Sequence, residues 1–264
     1  MRVREPAVAG QFYPASPGEL LWTVEKLLAE VDPRSGPLPS PPKALIVPHA
    51  GYAWSGPVAA SGYRQLQPYS KRYRRVILVG PSHHVAFDGL AASSADCFET
   101  PLGAVTVDVA SVRQLMAEDD VAVIDAAHLQ EHSVEVHLPF LQVVLDEFTL
   151  LPLTVGRCQP HRMAQLLEQV WGGPETLIVL SSDLSHYHPD DEARRIDQET
   201  ALAIERLDAA ALSGEQACGY VGIGGLIELA RTRGLHIDIL DLRNSGQITG
   251  RTGKVVGYGA FACY

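Results

Sequence analysis

Residues 176–188 read TLIVLSSDLSHYH: a short, largely apolar run, Thr176–Leu180, that breaks into a polar turn carrying Asp183, His186 and His188. A run of this length and composition, closed by turn residues, reads as a buried strand. The same pattern occurs twice upstream. Lys43–Val47 (KALIV) runs into Pro48-His49-Ala50-Gly51-Tyr52, and Arg75–Val79 (RVILV) into Gly80-Pro81-Ser82-His83-His84. Thr149–Leu153, His236–Leu240 and Val255–Ala262 are further strand candidates. Helix-period stretches fill the intervals: Pro17–Val31, Gly56–Leu66, Val109–Glu118, Glu131–Asp146, His161–Val170, Asp190–Leu207 and Ala217–Arg233. This alternation predicts an α/β fold, a single layered domain over residues 1–264 with a mostly parallel central sheet flanked by helices. One low-complexity stretch, Asp32–Pro42 (DPRSGPLPSPP), reads as an exposed loop. Strand order is not legible.

Composition narrows the function classes. Of 264 residues, 46% are hydrophobic, which fits a folded protein. Twenty-one Lys and Arg against 31 Asp and Glu give a net charge of −10, with no basic cluster to grip a phosphate backbone, so nucleic acid is not an expected partner. No apolar run approaches the roughly 18 residues of a membrane span, and the N-terminus lacks the apolar core of a signal peptide. A cytoplasmic protein without a membrane partner is expected. Cys97, Cys158, Cys218 and Cys263 form no CxxC pair, so reduced thiols are expected.

In open α/β sheets, ligands gather beyond the carboxyl ends of the strands. One histidine at a strand end is usually structural. Three strand exits, each with histidine two to six residues past the apolar run, are a pattern; in a parallel sheet they share one edge. Neutral imidazole is the commonest protein metal ligand, so converging histidines suggest a metal site. A second cluster, Glu131-His132-Ser133-Val134-Glu135-Val136-His137-Leu138-Pro139, places Glu131 and Glu135 on one helix face. A capped helix start explains the glutamates but gives the histidines no role. His132, Glu135 and His137 are therefore read as wall or outer support of the pocket. His128-Leu129-Gln130-Glu131-His132 matches the inverted HxxEH zinc order, which requires one continuous helix, and the helix is read only from Glu131. Cys218 stands out among the thiols. It opens a glycine-rich turn before a helix, a setting that favours thiolate and hence metal ligation. The GYVGIGG stretch follows a helix and lacks the GxGxxG order of a dinucleotide site.

PHAGYAWSG, GPSHH, EHSVEVHLPFLQ, SSDLSHY and the Cys218-Gly219 turn, in this order, together with the opening REPAVAGQFYPAS, resemble the Memo family, whose prokaryotic members are called AmmeMemoRadiSam system protein B. The resemblance covers nearly the whole chain. It implies a fold similar to class III extradiol (LigB-type) dioxygenases, non-haem iron enzymes with two histidines and a glutamate at the metal. Carried over by motif, it makes His49 and His83 metal ligands and puts Cys218 at the place of the carboxylate. His186 matches the acid/base histidine, and Asp183 a residue lining that pocket. Thiolate in place of carboxylate favours softer metals, so Fe(II) is expected with copper or zinc as alternatives, and ring opening does not transfer directly. The leading expectation is a metal-dependent redox or dioxygenase-like protein acting on a small phenolic substrate. Its rivals are a non-catalytic module that holds metal or binds peptides, working with radical-SAM and AMMECR-type partner proteins, and a zinc hydrolase.

Overall fold

Four short apolar runs pair in parallel at the centre of one sheet. The computed structural model describes residues 1–32, 38–250 and 253–264; of the loop expected over Asp32–Pro42, residues 33–37 lie outside that set. The described strands are β1 (Val3–Arg4), β2 (Ala44–Val47), β3 (Arg75–Pro81), β4 (Leu90–Ala92), β5 (Cys97–Thr100), β6 (Gly103–Thr106), β7 (Val121–Val123), β8 (Thr149–Val155), β9 (Thr176–Ser181), β10 (His186–Pro189), β11 (Ile237–Asn244) and β12 (Lys254–Cys263). Among the described residues, nine of them form a mixed sheet in the order β10-β12-β2-β9-β3-β8-β4-β7, with β11 also paired to β12. β1, β5 and β6 form a separate small sheet.

β2, β9, β3 and β8 run parallel. All four residues of β2 and all six of β9 are buried, as expected for strands covered on both faces. The flanks are antiparallel: β12 against β2, β10 and β11, and β4 against β8. These flanks refine the sequence reading, because β4, β7 and β10 have only three or four residues.

Two helix layers cover the sheet. Gly62, in the helix Tyr52–Tyr63, packs on Val47 and Leu45, whereas Gly222, in the helix Tyr220–Arg233, packs on Leu180 and Val79. Leu45 pairs with Val179 and Ile46 with Leu180, so the two helices lie on opposite faces. The chain steps from β2 past one position to β3, and later returns from β8 to β9 between them. The helices making these steps, Tyr52–Tyr63 and Pro160–Val170, lie on opposite sides, as right-handed crossovers require; Pro160–Val170 packs beside Tyr220–Arg233. Such a reversal opens a crevice at the carboxyl edge. Register makes that edge level: Val47 is opposite Ser181, and Leu180 is opposite Val79. No described helix is long and apolar enough to cross a membrane.

Candidate metal centre

His49 follows β2 by one proline and is buried. Its backbone N–H donates to Asp183 Oδ1 at 2.8 Å, and its Nδ1 lies 2.6 Å from Ser181 Oγ, at the end of the neighbouring strand β9. His83 follows β3 and is the most open ring of the group. Its N–H donates to Glu131 Oε2 at 2.7 Å, and its Nδ1 lies 2.8 Å from Glu131 Oε1. The third ring comes from none of the three predicted strand exits. His132 opens the one-turn helix His132–Glu135, capped by the Glu131 side chain, which accepts from Ser133 N–H. Its Nδ1 is 3.4 Å from Glu131 Oε1. Gly80 makes this approach possible, since a Cβ there would collide with Ser133, whose hydroxyl donates to Pro81 O at 2.8 Å.

The three rings converge. Centroids are 5.2 Å apart for His49 and His83, 5.4 Å for His49 and His132, and 4.7 Å for His83 and His132, the last pair stacked. One ligand atom from each lies within 4.8 Å of the others, a group that could hold a metal ion. With each Nδ1 turned to an oxygen, Nε2 is the nitrogen left for a ligand, the arrangement in which an outer partner fixes ring tautomer and orientation.

Electrostatics favours neutral His49 and His132 rings beside a fixed anion. Burial, then the neighbouring His83 and His132, holds His49 well below the ordinary imidazole value. Burial and His83 bring His132 down to about 4. Burial alone would raise the Glu131 carboxyl, but hydrogen bonds from the His83 ring and backbone hold it at about 2. One buried carboxylate near the neutral His49 and His132 rings is an environment suited to a cation.

Cys218 stands outside this nitrogen group but against it. Its Sγ is 3.5 Å from His49 Nε2 and accepts from Asp183 N–H at 3.2 Å. Gly219 allows the approach, because a Cβ there would sit 2.5 Å from Ser181 O. The expected thiolate does not follow from position alone. Burial and the Asp183 carboxyl push the thiol up to about 12, outweighing the helix start at Tyr220. Asp183 is raised to about 7 by burial, against the hydrogen bond from His49. His186, half-buried at the start of β10, follows Asp183, which bonds His49, by three residues and is not one of the three converging rings. Burial lowers its own pKa.

The Glu131–Asp146 segment departs from the single helix expected over it. It forms the short helices His132–Glu135 and Leu138–Val144, because Pro139 has no N–H to bond Glu135 O. His132, expected in the outer support, stands among the rings themselves. Glu135 is fully buried with both oxygens taken by Arg4, Ala7, Val8 and Tyr13. His137 is also buried, its Nδ1 2.9 Å from the Tyr63 hydroxyl, and its Nε2 has no hydrogen-bond partner. His128 sits on a separate turn, Ala126–Leu129, with Nε2 3.0 Å from Ala91 O, so HxxEH does not share one helix. Glu131, quoted with the cluster but not singled out, is the carboxylate that touches the rings. Ser181 and the N-terminal residues were missed; a partner more than a hundred positions away leaves no local signal.

Beside the rings, a cavity of about 800 Å³ opens beyond β3, β8 and β9. Ser82, Phe87, Ser181, Cys218 and Tyr220 are among its walls, so Ser181 and Cys218 border both the cavity and His49.

A family model described as Memo-like protein matches residues 4–262. A MEMO1 family protein of Aquifex aeolicus is 37% identical over 272 residues, covering 98% of each chain. Another, of Aeropyrum pernix, is 36% identical over 281 residues, covering 98% of this chain and 99% of its own. Among solved structures, the uncharacterized protein JW3007 from Escherichia coli K12 aligns with a TM-score of 0.52 at 12% identity, over 81% of this chain and 98% of that one, a likeness of fold alone. With a family match from Arg4 to Ala262 and full-length relatives above one-third identity, the chain belongs to the Memo-like protein family.

Proposed function

We propose that this chain is a metal-dependent redox protein whose centre is held by the Nε2 atoms of His49, His83 and His132. The observation that carries the reading is the convergence of three imidazoles whose Nδ1 atoms face Ser181 and Glu131. The donor set tests which ion fits. The carboxylate nearest the rings is spent on His83, so hard, oxygen-seeking ions such as magnesium or calcium have little to bind. Three nitrogens with a thiol alongside suit a borderline transition ion, and we assign iron(II), with copper and zinc as competitors. When bound, iron supplies a one-electron redox couple and an open coordination position.

The chain's own residues do the rest. Glu131 fixes the His83 ring through Nδ1 and holds its backbone through the N–H, so the two cannot turn independently. Ser181 and Asp183 hold His49 in the same two ways, at ring and backbone. His186 is assigned the movement of protons, because it follows Asp183, which bonds His49, without joining the ring group. The neighbouring cavity, walled by Phe87 and Tyr220 with Ser82 and Ser181, suits a small phenolic substrate.

Anaerobic loading with iron(II), followed by oxygen uptake with a panel of catechols and phenols, tests this reading. The expected result is uptake that requires iron and is lost in His186→Ala while iron is retained. Stoichiometric iron without uptake on any member of the panel overturns the redox assignment. It then favours a metal-holding module acting with radical-SAM and AMMECR-type partner proteins.

A further inference from the structure

His132 is the donor with the weakest local support. Its helix, His132–Glu135, is a single turn, and an isolated turn of helix has no stability of its own. Something from elsewhere must hold it.

Beside the Glu131 cap and the Ser133–Pro81 bond, that support comes from a strap formed by the first thirteen residues. The guanidinium of Arg4, itself buried, ion-pairs with Glu135 at the end of the turn and donates to Glu131 O at 2.8 Å at its start. It also donates to His128 O at 2.9 Å. Glu135 accepts further bonds from Ala7 N–H at 2.8 Å, Val8 N–H at 3.0 Å and the Tyr13 hydroxyl at 2.5 Å. Both carboxylate oxygens are thereby satisfied, a condition under which a buried charge is tolerated. From the same segment, Phe12 lays its ring 4.7 Å from that of His132, and its carbonyl accepts from Tyr52 N–H at 2.7 Å, three residues past His49. The strap therefore touches both the His132 turn and the His49 loop.

We propose that the N-terminal segment, through the Arg4–Glu135–Tyr13 knot and the Phe12 ring, is the positioning device that sets His132 against His49 and His83, so that metal affinity depends on residues that bind no metal. This rests on the metal-centre reading above. Glu135 and Tyr13 are positioning residues rather than ligands, since their polar atoms are engaged with each other and with the strap.

The test uses the full chain and cobalt(II) alone, whose ligand-field absorption reports coordination geometry. Glu135→Gln removes the charge that Arg4 faces, and Tyr13→Phe removes one donor while keeping the ring. Should Glu135→Gln fail to fold, Tyr13→Phe and Phe12→Leu decide the matter. The expected result is a fall in cobalt affinity of about 10- to 100-fold, with a changed ligand-field band, approaching the behaviour of His132→Ala. A knot that only stabilises the fold would lower the thermal melt and leave affinity and band at wild-type values; that result overturns the proposal. His49→Ala separates the two layers. Cobalt bound by the wild type and lost in His49→Ala, yet unaltered in the strap variants and in His132→Ala, removes the proposal and leaves a metal centre. No cobalt binding by the wild type removes both.

Discussion

His49 and His83 leave the ends of parallel strands, whereas His132 stands on one turn of helix. The two supports place a ligand by different physics. β2 and β3 are locked by ladders to β9 on one side and to β12 or β8 on the other, so their exits are level whatever side chain follows. The turn at His132–Glu135 belongs to no ladder, and side chains hold it at both ends: Glu131 by its own cap, Glu135 by Arg4 and Tyr13. A strand-borne donor is therefore lost by removing the ring itself. A turn-borne donor can also be lost by removing its holders.

The largest effect expected from this contrast is that of His49→Ala. Metal content should fall from about one ion per chain toward none, while the melt moves only modestly, because a domain of this size does not need a metal to fold. Elemental analysis after identical reconstitution checks it; retained metal would break the strand-exit half of the comparison. Next is Glu131→Gln, which weakens the acceptor of His83 and removes the charge that His132 faces. A loss of about 10- to 100-fold in metal affinity is expected, read by chelator competition. An unchanged affinity would mean that the rings need no outer anchor.

Acid should reveal the buried rings in metal-free protein. Burial holds His49 well below its ordinary value, His128 and His132 at about 4, and His137 at about 3. Burial acts oppositely on Asp183 and Asp197, raised to about 7 and about 6. Between pH 6 and 4.5, unfolding lets these four histidines take up protons and makes the two aspartates release theirs. The net uptake favours the unfolded chain, so stability present at neutral pH is lost as pH falls, at about 1.4 kcal/mol per net proton per pH unit. Thermal melts across that window should drop on acidification; a rising melt would contradict the neutral-ring account.

The smallest effect sharpens the comparison. Cys218→Ser should lower copper or zinc affinity more than iron affinity, since Sγ neighbours His49 without belonging to the nitrogen group. Complete loss of iron in this variant would put Cys218, rather than His132, in the third position.

How much of this was legible in the sequence follows the same division. The parallel centre and the strand exits carrying His49 and His83 were readable, because buried strands announce themselves as apolar runs and their exits as sudden polarity. Of the antiparallel flanks, β11 and β12 were readable as strands, but β4, β7 and β10 were not, since strands as short as Leu90–Ala92 carry no periodic signal. The place of His132 was obscured by reading Glu131–Asp146 as one helix, although Pro139 marks the break. The strap was out of reach for another reason: Arg4 finds Glu135 across 131 positions, and only the folded chain brings them together.

The most direct test of the central claim is the metal stoichiometry of the full chain purified anaerobically without chelator, measured by elemental analysis for iron, copper and zinc together. About one transition ion per chain, mostly iron, is the expected result. A chain that carries none, and takes up none when iron(II), copper(I) or zinc is offered in excess, would contradict the metal centre outright.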